Sequence, residues 1–267
     1  MGMSGVLADI FALERQEEDR FTIRPVPSQM ERTFGGQIAA QSLRAAQLTV
    51  APGRPVHSLH ASFLRTGQPT KPLDLAVRRV RDGRGFSTRH VTASHGDRTI
   101  FELTASFHVP EDGEEWQPTG GLDVPGPEEL TSYELPAWFG GVPNFDVRPA
   151  GPLLLDELFP LRHPFWFRYR DPIEDASLHP CVMAYISDLA VVDSSRAPGS
   201  TVSYSTAVSL DHAVWFHRPA RADEWLLYSM ESVTNHGSRG MARGTMHTLD
   251  GTLVASVAQE TLIRPAG

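Results

Sequence analysis

Residues 56–109 read VHSLHASFLRTGQPTKPLDLAVRRVRDGRGFSTRHVTASHGDRTIFELTASFHV. Strand-like runs at 56–64, 73–80, 86–94 and 100–109 are separated only by turn signals, Thr66-Gly67, Asp82-Gly83 and Gly96-Asp97. Short β-type runs joined by Gly and Asp, with no helical spacing between them, predict antiparallel hairpins. Strand after strand without intervening helices argues against a Rossmann or other doubly wound sheet. Just upstream, Phe34-Gly35-Gly36-Gln37 opens an Ala-, Leu- and Gln-rich segment that predicts a helix to about Val50. Glycine before a helix lets the backbone come close to a neighbour or ligand, which makes Gly35 and Gly36 candidate substrate-binding residues. Residues 4–13 follow helical spacing behind Ser4 as N-cap, and a short strand at 21–24 is stopped by Pro25 and Pro27.

The second half repeats the plan. A strand at 165–169 precedes a predicted helix over 178–192, then strands at 206–216, 225–233, 241–248 and 253–263. Ser58-Leu59-His60-Ala61 is echoed by Ser209-Leu210-Asp211-His212-Ala213. Placing Gly83 on Gly237 and Arg89 on Arg243 carries the alignment to the last strand without a gap. The shared order of elements predicts a tandem duplication: an N-terminal repeat at 1–110 and a C-terminal repeat at 153–267. From 110 to 152 the pattern breaks, with Pro110, Pro118, Pro125, Pro127, Pro136, Pro143, Pro149 and Pro152 among Gly and acidic residues, and residues 111–152 read as a linker. The expected class is α+β, a helix covered by an antiparallel sheet, made twice.

Composition narrows the function. The 267-residue chain has 24 Lys plus Arg against 32 Asp plus Glu, a formal charge of −8. Such a chain lacks the basic footprint of a general nucleic-acid binder, so no nucleic acid is expected as partner. An anionic small ligand needs only a local cluster. Lys71 is the single lysine, a bias that fits genome composition better than a phosphate site. No apolar stretch reaches the roughly 18 residues of a membrane span. Met1-Gly2-Met3-Ser4-Gly5-Val6 has no basic segment followed by an apolar block, and Arg264-Pro265-Ala266-Gly267 is not a peroxisomal address. The one cysteine, Cys181, permits no internal disulfide, and a cytoplasmic protein is the expectation.

No Gly-x-Ser-x-Gly elbow, phosphate-binding Gly-rich loop or His-Glu-x-x-His helix occurs. His57 and His60, three apart on a strand, face opposite ways, as do His212 and His217, so no metal is expected. Three polar residues stand out instead. Asp188 lies in CVMAYISDLAVV (181–192), a helical stretch apolar nearly all round and therefore buried. A carboxylate there is either paired and structural or held at a site where desolvation raises its pKa. Gln259 shares a strand face with Leu253, Val257, Thr261 and Ile263, where the duplicated position holds Ala105. It either bridges two strands or serves a specific role. Ser209 precedes Leu210-Asp211-His212, and a strand serine is usually satisfied by neighbouring backbone. Asp211 and His212 face opposite ways, which discounts a Ser-His-Asp triad from this segment.

These stretches resemble the type II acyl-coenzyme A thioesterases, a double hotdog family. The matching residues are Phe34-Gly35-Gly36-Gln37, VHSLHASFLR at 56–65, RDGRGFS at 81–87, Tyr185-Ile186-Ser187-Asp188-Leu189, Ser209-Leu210-Asp211-His212, WFHRP at 215–219, DGTLVAS at 250–256, and Gln259-Glu260. The resemblance implies a hotdog fold in both halves and hydrolysis of fatty acyl-CoA to free acid and CoA, without cofactor or covalent acyl-enzyme. It implies a catalytic Asp, Ser or Thr, and Gln, which fall on Asp188, Ser209 and Gln259. An acyl-CoA substrate would meet arginines through its phosphates, with Arg79, Arg81, Arg84, Arg239 and Arg243 near turns as candidates. Sheet-edge pairing makes a homo-oligomer the expectation. Two alternatives compete: a non-catalytic acyl-CoA binder on the same fold, and an enoyl-CoA hydratase. The hydratase wants an Asp–His pair at the helix, whereas Leu189, Ala190, Val191, Val192 and Asp193 follow Asp188.

Overall fold

The computed structural model describes residues 6–25, 31–118, 123–135, 144–153 and 161–266. The predicted N-cap Ser4, and Pro27, Pro136 and Pro143, lie outside them. The chain opens with α1 (Val6–Ile10), β1 (Leu13–Glu17), β2 (Arg20–Ile23) and α2 (Gly35–Gln47). Four strands follow: β3 (Val56–Phe63), β4 (Leu73–Asp82), β5 (Phe86–His95) and β6 (Arg98–His108). The second half contains β7 (Phe145–Pro149), β8 (Phe165–Tyr169), α3 (His179–Ile186) and α4 (Val191–Ser194). It ends with β9 (Tyr204–Ser209), β10 (Asp211–Phe216), β11 (Leu226–His236), β12 (Arg239–Thr248) and β13 (Leu253–Pro265).

Among the described residues all the strands join one antiparallel sheet, ordered β1-β2-β4-β5-β6-β3-β10-β13-β12-β11-β8-β7, with β9 also paired to β13. The halves meet where β3 pairs β10, from Asp211 opposite Ser62 to Trp215 opposite Ser58. Alternation sets the inner face: on β6 Phe101, Leu103, Ala105 and Phe107 are buried. That face covers α2, whose Ile38, Ala39, Ala40, Leu43, Ala45 and Ala46 are buried. The alanines keep α2 narrow enough to lie against both the sheet and α3. The two helices run antiparallel, since Gly36 meets Tyr185 while Gln47 Nε2 donates to Ser177 O at 2.9 Å.

Five local expectations are corrected. The helix predicted over 178–192 stops at Ile186 and resumes at Val191. The strand predicted over 206–216 is two strands, broken at Leu210. β1 was not anticipated, because Leu13-Glu14-Arg15-Gln16-Glu17 is nearly all polar; its backbone pairs with β2 at the sheet edge. Residues 111–152 are not only linker, since Phe145–Pro149 pairs with β8. Trp166 Nε1 donates to Pro125 O at 2.9 Å, fastening this stretch to the sheet. Finally, Arg89 and Arg243 are not equivalent. Arg89 is 1% exposed, while Arg243 pairs with exposed Glu231. The inward counterpart is Ala242, because the two hairpins differ in length and each carries a register shift.

Arg89 Nε donates to Thr49 Oγ1 at 2.8 Å, and its Nη2 donates to Thr49 O at 2.9 Å and to Asp82 Oδ1 at 2.8 Å. It ties the end of α2 to β4 and β5. Arg89→Ala leaves the buried Thr49 hydroxyl and carbonyl without this donor and opens a cavity, while Asp82 is half exposed, so it should lower stability by about 3 kcal/mol. Equilibrium urea unfolding measures this.

Candidate active site

The break between α3 and α4 creates the site. Ser187 is the C-cap of α3, and Ala190, left-handed at φ 59°, is the N-cap from which α4 starts. The carbonyls freed at this turn find side chains. Tyr228 hydroxyl donates to Ser187 O at 2.6 Å, and His163 Nε2 lies 3.0 Å from Leu189 O. Asp188 therefore stands on a braced turn rather than inside a helix, and it is 8% exposed.

The N-terminus of α2 closes on that turn. Gly36 N–H donates to Asp188 Oδ2 at 3.0 Å, a charge-assisted bond at the positive end of the helix. Side chains are excluded here. A Cβ on Gly35 would sit 2.5 Å from Asp188 Oδ2 and 2.7 Å from Phe63 Cε1, and one on Gly36 would sit 2.1 Å from Tyr185 O. Gly35 and Gly36 thus serve close approach, with Gly36 engaged by the carboxylate.

The break at Leu210 supplies the third side of the site. Strict alternation would turn Ser209 and His212 to opposite faces. Instead, Leu210 N–H donates to Glu260 O, and Leu210 O accepts from Phe63 N–H, so one residue is taken out of register. Ser209 then faces the same interior as His212 and Gln259. Ser209 Oγ donates to Asp188 Oδ1 at 3.1 Å, and Gln259 Nε2 donates to Ser209 Oγ at 2.7 Å. The three residues expected to act together, Asp188, Ser209 and Gln259, do meet.

Burial raises the Asp188 carboxyl from 3.8 to about 6, against hydrogen bonds from Gln259, Ser209 and the Gly36 N–H that favour its ionised form. The result is a desolvated carboxylate that titrates near neutrality. Two further residues belong to the network and were not anticipated as site residues. His212 Nδ1 lies 2.5 Å from Gln259 Oε1, and His212 Nε2 lies 2.7 Å from Ser187 Oγ. Nothing in the sequence spacing places His212 beside Ser209; only the register shift does.

The five arginines do not gather. Arg79 is clamped by Asp19 and Glu18, Arg239 by Glu260 and Arg243 by Glu231. Arg81 and Arg84 have no carboxylate partner among the described residues. They lie by the hairpin that Arg54 holds to the C-terminal side of α2, through Gly83 O at 2.9 Å. α2 has 13 residues, which puts that end about 20 Å from Asp188. Arg239 is nearer, three residues along β12 from Ala242, the register partner of Gln259, or about 10 Å.

A family model described as acyl-CoA thioesterase matches residues 160–262, and one described as acyl-CoA thioesterase N-terminal domain matches residues 22–108. Human acyl-coenzyme A thioesterase 8 is 36% identical over 98% of this chain and 89% of its own length. The chain belongs to the acyl-CoA thioesterase family. Acyl-CoA thioesterase 2 of Haemophilus influenzae is 32% identical over 98% of this chain and 99% of its own. The crystal structure of acyl-CoA thioesterase II TesB2 from Mycobacterium marinum superposes with a TM-score of 0.80 at 38% identity, covering 97% of this chain and 98% of that one. A hot dog fold protein from Alicyclobacillus acidocaldarius, 19% identical, superposes at 0.76 over 99% of this chain and 100% of its own, which matches the fold alone. This thioesterase is accordingly a double hotdog, and the α+β expectation holds.

Folding lifts the carboxyl of Asp188 from 3.8 to about 6, so holding it ionised costs about 3 kcal/mol above pH 6 and nothing below about pH 4. Asp188→Asn should therefore melt higher than wild type at pH 7.5. The gap should shrink as pH falls from 6 to 4, as thermal melts across that range would record.

Proposed function

We propose that this acyl-CoA thioesterase hydrolyses fatty acyl-CoA by direct water attack, with Asp188 as general base and Ser209 and Gln259 positioning the water. The observation that carries the reading is the buried Asp188 carboxyl at about 6, bonded by Ser209 and by Gly36 at the head of α2. A base titrating near the working pH is both ionised and able to take a proton. Water oxygen bonds to the thioester carbonyl carbon as its proton passes to Asp188. The tetrahedral oxyanion then collapses, the carbon–sulfur bond breaks, and Asp188 returns the proton to the departing CoA thiolate. No covalent acyl-enzyme and no cofactor are needed.

Oxyanion donors come from the α2 N-terminus, where Gly35 N–H has no acceptor among the described residues. Phe34 and Phe63, partly buried beside the two glycines, give the acyl chain an apolar entrance between helix and sheet. The protein works as a cytoplasmic homo-oligomer in lipid metabolism. Its one cysteine is buried, with the thiol pushed up to about 12 by burial, as suits a reducing compartment. Trp215, Val80 and Val233 are exposed on strands of the sheet, and self-association would cover them.

Asp188→Asn should lose at least about a hundredfold in thiol release from a panel of acyl-CoAs, and near wild-type turnover would sink the assignment. In wild type the rate should fall as pH drops through about 6, because the base is then protonated. For the CoA phosphates, Arg239→Ala and Arg84→Ala are compared on acyl-CoA and on a short pantetheine thioester. Whichever substitution removes a phosphate contact should raise KM about tenfold on acyl-CoA only. Equal loss on both substrates would argue against a phosphate role.

A further inference from the structure

His212 and Ser187 are buried beside the trio, and the proposed hydrolysis does not use them. His212 is 1% exposed on β10, with both ring nitrogens engaged. An amide side chain has one donor end and one acceptor end. Gln259 turns its Nε2 end to Ser209, so its Oε1 end faces His212 Nδ1 at 2.5 Å. An acceptor at that distance requires Nδ1 to carry a proton. Burial keeps the ring neutral, with its pKa pushed down to about 4. Nε2 is then bare and accepts the Ser187 hydroxyl proton across 2.7 Å. The competing acceptor for that proton is Ala184 O at 2.9 Å.

We propose that His212 is a positioning residue for the hydrolysis. Fixed by Ser187 with its proton on Nδ1, it holds the Gln259 amide nitrogen toward Ser209 and so directs the Ser209 proton onto Asp188. Every bond then points one way, from Ser187 to His212, Gln259, Ser209 and Asp188 Oδ1. The ring closes on itself, because Ser187 and Asp188 are neighbours in sequence. With the amide reversed, Gln259 Oε1 would draw the Ser209 proton and Asp188 would lose a donor. This inference rests on the reading of Asp188 as the base. The other titratable groups braced against its turn are Tyr228 on β11 and His163 before β8. Burial keeps both uncharged near neutrality, raising Tyr228 and lowering His163 to about 4.

The test measures kcat, KM and pH–rate profiles for thiol release by the full-length wild type, His212→Ala, His212→Asn, Ser187→Ala and Asp188→Asn. The asparagine amide nitrogen reaches the place of Nδ1. His212→Ala should lower kcat about a hundredfold with KM within about twofold of wild type. Its acid limb should move to higher pH, because ionised Asp188 loses the Ser209 hydrogen bond. His212→Asn should recover about tenfold of the loss and return the limb toward wild type. Ser187→Ala should shift kcat and limb the same way by less.

Wild-type kcat in His212→Ala, or equal loss in the Ala and Asn variants with an unmoved limb, overturns the proposal. With Asp188→Asn inactive, either result still leaves the base assignment standing. If His212→Ala does not fold, unchanged kcat and acid limb in Ser187→Ala overturn it. Full turnover in Asp188→Asn removes both readings.

Discussion

Two bare α-carbons, at Gly35 and Gly36, let the head of α2 lie against the turn that ends α3, and most of the molecule is arranged around that approach. A Cβ at Gly36 would stand 2.1 Å from Tyr185 O, so any larger residue would push the helices apart. The approach brings a first-repeat N–H to a second-repeat carboxylate at 3.0 Å. It also sets how the two helices pair along their length, with Arg44 and Gln47 reaching Ser177 at the other end. Alanine-rich packing on α2 and the continuous sheet through β3 and β10 are what keep both contacts in place.

Burial of Asp188 has a cost and a use that cannot be separated. The turn needs four partners to hold it: Gly36, Tyr228, His163 and Ser209 reach Asp188 or the carbonyls on either side of it. Each bond to the carboxylate itself lowers its pKa, while desolvation raises it further than they lower it. A carboxylate with more donors would be more stable and a poorer base; one with fewer would stay protonated at neutral pH.

The repeat architecture was legible because period-two runs and Gly-Asp turns are local signals, and Phe101, Leu103, Ala105 and Phe107 do face the core together. Asp188 and Gln259 were visible as polar residues in apolar patterns. What sequence could not show was register. The shift at Leu210 depends on Phe63 and Glu260, distant in sequence, and it decides whether Ser209 faces the site. The turn after Ile186 likewise depends on Tyr228 and His163 taking the carbonyls of Ser187 and Leu189, while helical spacing through Val192 looks unbroken in the sequence. β1 was hidden because edge strands carry charge, and the Arg89–Arg243 pairing failed because hairpins of unequal length shift register silently.

The same register logic explains why the duplication leaves the two copies chemically unequal. Thr49 follows the end of α2 by two residues, as Asp188 follows the end of α3. Val56, and not Ser58 as the sequence echo suggests, stands opposite Phe107 just before a register shift, as Ser209 stands opposite Thr261 just before the break at Leu210. Ala105 takes the place of Gln259. The first copy thus presents Thr, Val and Ala where the second presents Asp, Ser and Gln. Its interior is also filled, since the Arg89 guanidinium bonds Thr49 through both side chain and backbone, whereas its inward counterpart in the second copy is Ala242. A large cation in one copy and a methyl group in the other thus stand at the inward position beside Ala105 and Gln259. The first repeat retains a different part, the glycine-started helix whose N–H reaches the other copy's carboxylate.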